Sequence, residues 1–513
     1  MMDFHSILFK NVEGANEKEI LVSEAPDFFT DLNLDQIIDA ITTEKDEYNL
    51  KPFFYTRLDN VDAIIYRHEV MRDLENLTLR NDIKLFAINM DKMRKYLAQI
   101  DKLHYNYQKQ RVFLDTIEIY CDVINSLIHQ LSKLDLKSKG FLQFREYLAC
   151  YKKSDTFTSL NEETKTLITS LSSVTYSIFI KNNSVTIGLD ETDIDYTDEV
   201  EKTFEKFKQE VVEDYRIKFT STFRMDHVEA NILDRVAKLY PEIFERLDSY
   251  SKKHVNFLDK TIAVFDREIQ FYIAYLDYIE QFKQSGLNFC YPKISDKEKE
   301  IYDYEGFDLA LANKLINEQS SIVCNDFYLK GNERIIVITG PNQGGKTTFA
   351  RAFGQLHYLA SLGCLVPGKE AKLLLYDNLF TLFEKEENII TLHGKLEDDL
   401  VRIHHVLDQS TANSIIIMNE VFTSTTLQDA LFLSKVIMEK IIELDSISLW
   451  VTFIDELSSL SDKNVSMVST VDPKNVALRT FKIVRKPADG FAYAISIARK
   501  YQLTYDCLME RIK

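Results

Sequence analysis

Apolar positions recur every three or four residues through much of the chain between about residue 52 and residue 294. One such stripe consists of Phe265, Ile269, Tyr272, Leu276 and Ile279. Because this spacing places side chains on one helix face, it predicts long helices packed through apolar seams. The 513 residues include only 14 glycines and 8 prolines, which also favours long helices over a loop-rich β protein.

A short β pattern interrupts the predicted helices. Residues 176–187 read Tyr-Ser-Ile-Phe-Ile-Lys-Asn-Asn-Ser-Val-Thr-Ile, which predicts two strands joined at an Asn-Asn turn. The following residues, 190–201, include seven acidic side chains and no basic one. We interpret this acidic segment as a solvated loop or helix start, with an acidic partner site as the alternative.

The pattern changes near Phe307, where short apolar runs alternate with amphipathic segments. The runs are Ile335–Thr339, Leu379–Phe383, Ile415–Met418, Leu449–Phe453, Val465–Thr470 and Thr480–Val484. This alternation predicts an α/β domain with a mainly parallel sheet. The expected architecture is therefore multidomain, with an N-terminal segment at 1–50, an all-α domain that includes the short hairpin at 51–306, and an α/β domain at 307–513.

The first strand of the α/β region runs into a glycine-rich loop. Residues 340–347 match G-x-x-x-x-G-K-[ST], and a helix-like segment follows. Backbone N–H groups of such a loop cradle phosphates, its lysine reaches the β- and γ-phosphates, and its Ser or Thr hydroxyl ligates Mg²⁺. The strand before the loop and the helix after it favour this interpretation over an ordinary glycine-rich turn. We therefore predict that a nucleoside triphosphate binds to Gly340, Pro341, Asn342, Gln343, Gly344, Gly345, Lys346, Thr347 and Thr348.

A phosphate-binding loop needs a polar partner at the end of a neighbouring strand, and the tip of Ile415–Met418 supplies one. Glu420 is placed there to orient or deprotonate an attacking water, so we assign Glu420 and Lys346 to catalysis. The preceding residue is usually an aspartate that holds Mg²⁺ through water, but here it is Asn419. Its amide oxygen can accept from a metal-bound water but carries no charge. The predicted Mg²⁺ site consists of Thr347 and, through water, Asn419.

Composition and charge restrict the function classes. The formal net charge of −18 argues against tight, sequence-independent DNA binding, because nucleic-acid binders usually present a basic face. The 6 cysteines lie far apart, which favours reduced thiols over a disulfide framework or a metal cluster. The start of the chain lacks the features of a signal peptide, and no apolar run has the length of a membrane span. We expect a cytoplasmic protein without membrane contact.

These motifs resemble those of the MutS proteins of DNA mismatch repair, whose ATPase is of the ABC-transporter type. Residues 340–348 are similar to the family's G-P-N-M-G-G-K-S-T, and residues 323–326 are similar to its V-P-N-D. Residues 362–367 contain G-x-x-V-P, and residues 420–426 are similar to E-x-x-x-x-T-S/T. A fainter similarity to P-L-x-D-x-x-x-I-x-x-R covers residues 57–67. The resemblance implies a P-loop ATPase at 307–513 and lever helices in the domain at 51–306.

The resemblance also implies cofactors, a partner and further site residues. ATP and Mg²⁺ would be the cofactors, and Asn325 and Asp326 would join the ATP site. In the family, a signature segment of one subunit completes the site of the other, and its position here falls at Gly394 and Lys395. A homodimer is therefore implied, which ATP would switch between two states.

The chain also departs from the family pattern. Only about fifty residues precede the predicted helical domain, so we expect the mismatch-recognition domain to be absent. The switch histidine of the family falls at Phe453, whose ring cannot hydrogen-bond to a γ-phosphate. Together with the uncharged Asn419, this substitution predicts slow or altered ATP hydrolysis.

Three functions remain open on the sequence. The first is ATP-dependent DNA binding related to mismatch repair or to recognition of branched DNA, with contacts to the DNA backbone rather than to base edges. The second is action on a ribosome or another ribonucleoprotein, as in MutS relatives that lack the mismatch domain. The third is a nucleotide-gated scaffold for another protein, with weak hydrolysis. The acidity of the chain suits this scaffold function.

Overall fold

The computed structural model describes residues 4–10, 21–182, 184–189, 225–384, 394–472, 478–488 and 502–511. The acidic segment at 190–201 lies outside the described residues. By its contacts the chain forms two compact units. Unit 1 comprises Met1–Phe4, Glu75–Leu136 and Phe141–Asp266, and unit 2 comprises His5–Leu74, Lys137–Gly140 and Arg267–Lys513. The predicted multidomain architecture is confirmed, whereas the domain boundaries at residues 50 and 306 stay predictions.

Helices make up most of the described structure. In chain order they are α1 (Leu34–Thr42), α2 (Lys51–Tyr55), α3 (Val61–Leu74), α4 (Leu77–Ile100), α5 (Asn106–Lys133), α6 (Lys139–Lys152), α7 (Asp155–Ser172), α8 (His227–Leu239), α9 (Pro241–Lys253), α10 (Lys260–Gln284), α11 (Leu309–Asn317), α12 (Lys346–Ser361), α13 (Lys395–Gln409), α14 (Leu427–Leu444) and α15 (Tyr505–Arg511). Short 3-10 helices occur at Asp27–Phe29, Asp46–Tyr48 and Asp455–Ser459. Within the described residues, none of these helices combines the length and apolar character needed to cross a lipid bilayer.

The strands, again in chain order, are β1 (Tyr176–Lys181), β2 (Ser184–Leu189), β3 (Phe289–Cys290), β4 (Lys293–Ser295), β5 (Ile301–Gly306), β6 (Asn325–Leu329), β7 (Ile335–Thr339), β8 (Val366–Pro367), β9 (Glu370–Leu374), β10 (Leu379–Phe383), β11 (Ile415–Asn419), β12 (Ile447–Val451), β13 (Asn464–Val471) and β14 (Arg479–Arg485). The strands β1 and β2 pair antiparallel, with Ile178 opposite Ile187. The predicted strand–turn–strand is therefore confirmed.

The helical periodicity read from the sequence corresponds to real packing. The predicted stripe from Phe265 to Ile279 lies on α10, and all five of its side chains are buried. Within unit 1, the Phe265 ring stacks on Phe144 with ring centroids 3.6 Å apart. Burying this stripe is the main reason for α10 to form, because packing of an apolar face supplies most of the stability of a helix.

The central sheet of unit 2 has the strand order β10-β11-β12-β7-β13-β14. Its first five strands run parallel to their neighbours, and only β14 pairs antiparallel, with β13. The mainly parallel sheet predicted from the sequence is therefore confirmed. Every residue of β7, β11 and β12 is buried, as expected for strands covered on both faces.

Two details of this sheet differ from the sequence-based expectations. The predicted strand Leu449–Phe453 is displaced, because β12 spans Ile447–Val451 and leaves Phe453 in the loop that follows. The strand that ends in Asn419 is not a direct neighbour of β7, because β12 lies between β7 and β11. The carboxyl ends of all three strands still meet at one edge of the sheet, where ligands of open α/β sheets bind.

A second sheet has four strands in the order β4-β9-β5-β6, and α11 follows its strand β5 along the chain. Asp308 begins α11 by accepting hydrogen bonds from the backbone N–H groups of Ala310 (3.0 Å) and Leu311 (3.1 Å). Gln355 on α12 donates to the same carboxylate at 2.8 Å and accepts from the Leu309 N–H at 2.8 Å. These contacts fix α11 beside α12.

Candidate functional site

The glycine-rich loop connects β7 to α12 and has a tightly constrained backbone. Gly340 has a φ of +117°, which a residue with a side chain rarely adopts. Ser469 on β13 packs under the loop and donates from its hydroxyl to the Gly344 carbonyl at 2.7 Å. A Cβ atom on Gly344 would collide with that hydroxyl. This loop needs glycine at both positions for these reasons, and the second glycine of the G-x-x-x-x-G-K-[ST] pattern, Gly345, has a φ of +90°. The first-turn N–H groups of α12 are left for a ligand at the loop.

Lys346 lies at the first position of α12 and is 4% exposed. Its Nζ donates to the carbonyls of Gly340 and Pro341, both at 3.1 Å, and lies 3.8 Å from the Glu420 carboxylate. Burial lowers the pKa of the Lys346 ammonium, and the Glu420 charge opposes that shift. The two residues assigned to catalysis are therefore brought together by the fold.

The residues predicted to hold Mg²⁺ also meet. The Thr347 hydroxyl donates to Asn419 Oδ1 at 3.0 Å, across the end of the intervening strand β12. Both oxygens belong to the type that Mg²⁺ prefers, but both are neutral. Among the described residues, no group of three or more His, Cys, Asp or Glu side chains is arranged to hold a metal ion. The donor set thus fits a Mg²⁺ ion that takes most of its negative charge from phosphates.

Glu420 has an unusual backbone conformation, with a φ of +54°. Its N–H donates to the Val451 carbonyl of β12 at 3.0 Å, so the chain is still tied to the sheet where the conformation changes. Left-handed conformations at residues other than glycine are strained and concentrate at functional sites. Here the left-handed turn at Glu420 places its carboxylate beside Lys346.

A cavity of about 440 Å³ lies beside the loop, and it has a polar half and an apolar half. The polar half contains loop residues, including Lys346 and Thr347, together with Glu420. The apolar half is lined by Phe307, Leu311, Leu315, Ile322, Val323 and Phe481. Such a cavity can take a flat heterocycle against the apolar wall and phosphates against the loop. Sequence reasoning missed this apolar wall, although Leu311 and Leu315 stand four residues apart on α11, and Val323 begins the motif at residues 323–326 directly after Ile322.

Asn325 and Asp326 have structural contacts in this site. Asn325 lines the cavity, but its side chain joins β6 to β14 by donating to the Phe481 carbonyl (3.2 Å) and accepting from the Ile483 N–H (2.8 Å). Asp326 accepts from the Glu305 N–H at 2.7 Å and is not among the residues that line the cavity. Asn325 therefore positions Phe481 in the apolar wall, and a direct contact of either side chain with a nucleotide stays a prediction.

The segment predicted to act across a dimer lies apart from the cavity of its own chain. Gly394 precedes α13, and Lys395 forms an ion pair with Glu384. The Thr423 hydroxyl also donates to Glu384, at 3.1 Å. Neither Gly394 nor Lys395 lines the cavity, so their role in a partner's site stays a prediction.

The fold and the site define an α/β domain on a mainly parallel sheet, with a glycine-rich strand-to-helix loop at its ligand-binding edge. Residues 336–510 match the family model of MutS domain V. This match confirms the resemblance to the MutS family that was drawn from the motifs.

The similar proteins include several named DNA mismatch repair protein MutS. The one from Thermotoga petrophila is 26% identical over 271 residues, which cover 52% of this chain and 32% of that protein. The one from Brevibacillus brevis is 30% identical over 147 residues, or 28% of this chain and 17% of the relative. The one from Halalkalibacterium halodurans is 27% identical over 231 residues, or 44% of this chain and 26% of the relative. The chain thus matches a third or less of the length of each relative.

Proposed function

We propose that this protein binds Mg²⁺–ATP at residues 340–348 and works as a nucleotide-gated dimeric switch that acts on DNA. The observation that carries the proposed nucleotide binding is that one cavity contains Lys346, Thr347 and Glu420 at one end and an apolar wall at the other. The match of residues 336–510 to MutS domain V supports ATP as the nucleotide.

Each residue has a distinct task in this proposal. The loop N–H groups and the start of α12 bind phosphate oxygens, and Lys346 neutralises charge on the β- and γ-phosphates. Thr347 and, through water, Asn419 hold Mg²⁺, which supplies charge neutralisation at the transferred phosphate when bound. Glu420 accepts a proton from the attacking water or orients it. Phe307, Val323 and Phe481 pack against the base.

Hydrolysis is slow in this proposal, because the Mg²⁺ site lacks a protein charge. Changing Asn419→Asp puts a carboxylate where the amide oxygen now accepts from Thr347 at 3.0 Å. A carboxylate separated from Mg²⁺ by one water would interact with the ion by several times RT even with strong screening, so we expect phosphate release to accelerate at least about tenfold. The measurement is steady-state phosphate release at saturating Mg²⁺–ATP.

The matched control is Asn413→Asp, which adds the same charge at an exposed position just before β11. Its phosphate release should equal that of the wild type. An Asn419→Asp variant that binds ATP normally but hydrolyses it no faster would contradict the role given to Asn419.

DNA is the proposed partner because the similar proteins carry the name DNA mismatch repair protein. With a net charge of −18, binding must rely on a local basic surface and should weaken steeply with salt. We expect gel-shift titrations to show retention of mismatched or branched duplexes that depends on ATP and disappears at high salt. No retention of any duplex at low salt with ATP present would contradict the proposed binding to DNA. Co-sedimentation with ribosomes would then point to the alternative function, action on a ribonucleoprotein.

A further inference from the structure

Phe453 lies in the loop after β12 and makes a contact that the sequence did not reveal. Its ring centroid is 4.7 Å from the Nζ of Lys346, within the range of an attractive cation–π interaction. The ring is 48% exposed, so it faces the ammonium from the solvent side of the site. The same ammonium also donates to the Gly340 and Pro341 carbonyls and lies 3.8 Å from the Glu420 carboxylate.

The backbone on both sides of Phe453 is fixed, so the fold determines where the ring lies. The Thr452 N–H donates to the Ile338 carbonyl at 3.0 Å, which continues the pairing of β12 with β7. The Ile454 N–H donates to the Thr452 hydroxyl at 3.1 Å, and the Ile454 side chain is buried. Phe453 therefore lies between two residues, Thr452 and Ile454, whose backbone N–H groups are both hydrogen-bonded.

These contacts compete with a phosphate for the ammonium. A loop lysine of this kind reaches the β- and γ-phosphates, so a ligand with a β-phosphate must draw Nζ away from its present partners. The loop carbonyls belong to the motif itself, whereas the ring is a feature of this chain. A ligand that has only an α-phosphate makes no such demand on Lys346.

We propose that Phe453 is a positioning residue that holds the Lys346 ammonium against the loop and thereby weakens the binding of ligands that carry a β-phosphate. The proposal rests on nucleotide binding at residues 340–348. It gives Phe453 a function of its own: easier release of ADP and ATP from the loop.

The test replaces Phe453→Leu, which keeps an apolar side chain but removes the aromatic ring. Because the Phe453 ring is half-exposed, the cation–π contribution is about 0.5–1 kcal/mol, so the variant should bind ADP about two- to fivefold more tightly than the wild type. AMP, which lacks a β-phosphate, should bind wild type and variant equally. Isothermal titration calorimetry with ADP and with AMP, both in Mg²⁺, measures the difference.

Two further variants serve as controls. Phe453→Tyr keeps an aromatic ring and should bind ADP like the wild type. Phe432→Leu makes the same change at an exposed phenylalanine on α14 and should also leave ADP binding unchanged. A Phe453→Leu variant that gains no ADP affinity, or that gains equally for AMP, would overturn the proposal for Phe453 while leaving the nucleotide site intact. A folded wild type that binds no ADP would instead contradict the proposed function on which this inference rests.

Discussion

Replacing Lys346 by alanine is expected to weaken ATP binding by at least about 100-fold. Charge-assisted hydrogen bonds to phosphate are worth about 1.5–3 kcal/mol each, and Lys346 is placed to reach both the β- and the γ-phosphate. The side chain is 4% exposed and its only near carboxylate among the described residues is that of Glu420, at 3.8 Å, so its charge is held beside the loop. Equilibrium titration with Mg²⁺–ATP measures the loss.

A loss of folding must be separated from a loss of binding in this experiment. Lys346→Met keeps the buried stem of the side chain and removes only the charge, so it should lose as much affinity as the alanine variant. Lys440→Ala removes an exposed lysine from α14 and should bind ATP normally. Either Lys346 variant binding ATP as tightly as the wild type, with circular dichroism unchanged, would refute the assignment of the loop.

Replacing Trp450 by alanine is expected to lower the free energy of unfolding by about 3–5 kcal/mol. Trp450 is the single tryptophan of the chain, is 1% exposed, and lies in β12 opposite Val337 on one neighbouring strand and Met418 on the other. Its ring packs in the core of unit 2 together with Ile437 and Leu457. A truncation here leaves a cavity that these strands cannot close, because their backbones are hydrogen-bonded on both sides.

Urea unfolding followed by far-ultraviolet circular dichroism measures this loss, since the variant has no tryptophan fluorescence. Phe432→Ala removes a large aromatic side chain that is 67% exposed, and it should change the free energy of unfolding by no more than about 0.5 kcal/mol. A loss below about 1 kcal/mol for Trp450→Ala would show that β12 is not the packed centre of the sheet. Because β12 separates β7 from β11, such a result would also question the alignment of Thr347 with Asn419.

The local elements of this site could be predicted from the sequence because they depend on short spacings. The strand before Gly340, the loop with its fixed glycines and the helix from Lys346 occupy consecutive residues, and each has its own pattern. The same holds for β11 and the polar tip at Asn419, and for the hairpin formed by β1 and β2.

The order of the strands and the long-range contacts could not be predicted in the same way. Nothing in the spacing of residues says that β12 inserts between β7 and β11, since strand order depends on pairing between distant segments. The apolar wall combines Leu311 on α11 with Phe481 on β14, which are far apart along the chain. The ring of Phe453 reaches Lys346 only because β12 ends at Val451, two residues earlier than its apolar pattern suggested.

The central claim is that residues 340–348 bind Mg²⁺–ATP. Its most direct test is calorimetric titration of the wild-type protein with ATP, first in Mg²⁺ and then in excess EDTA. We expect one ATP per chain with a Kd below about 1 mM in Mg²⁺, and weaker binding in EDTA because Thr347 and Asn419 then have no ion to share with the phosphates. No heat of binding up to that concentration, with the protein shown to be folded, would contradict the account.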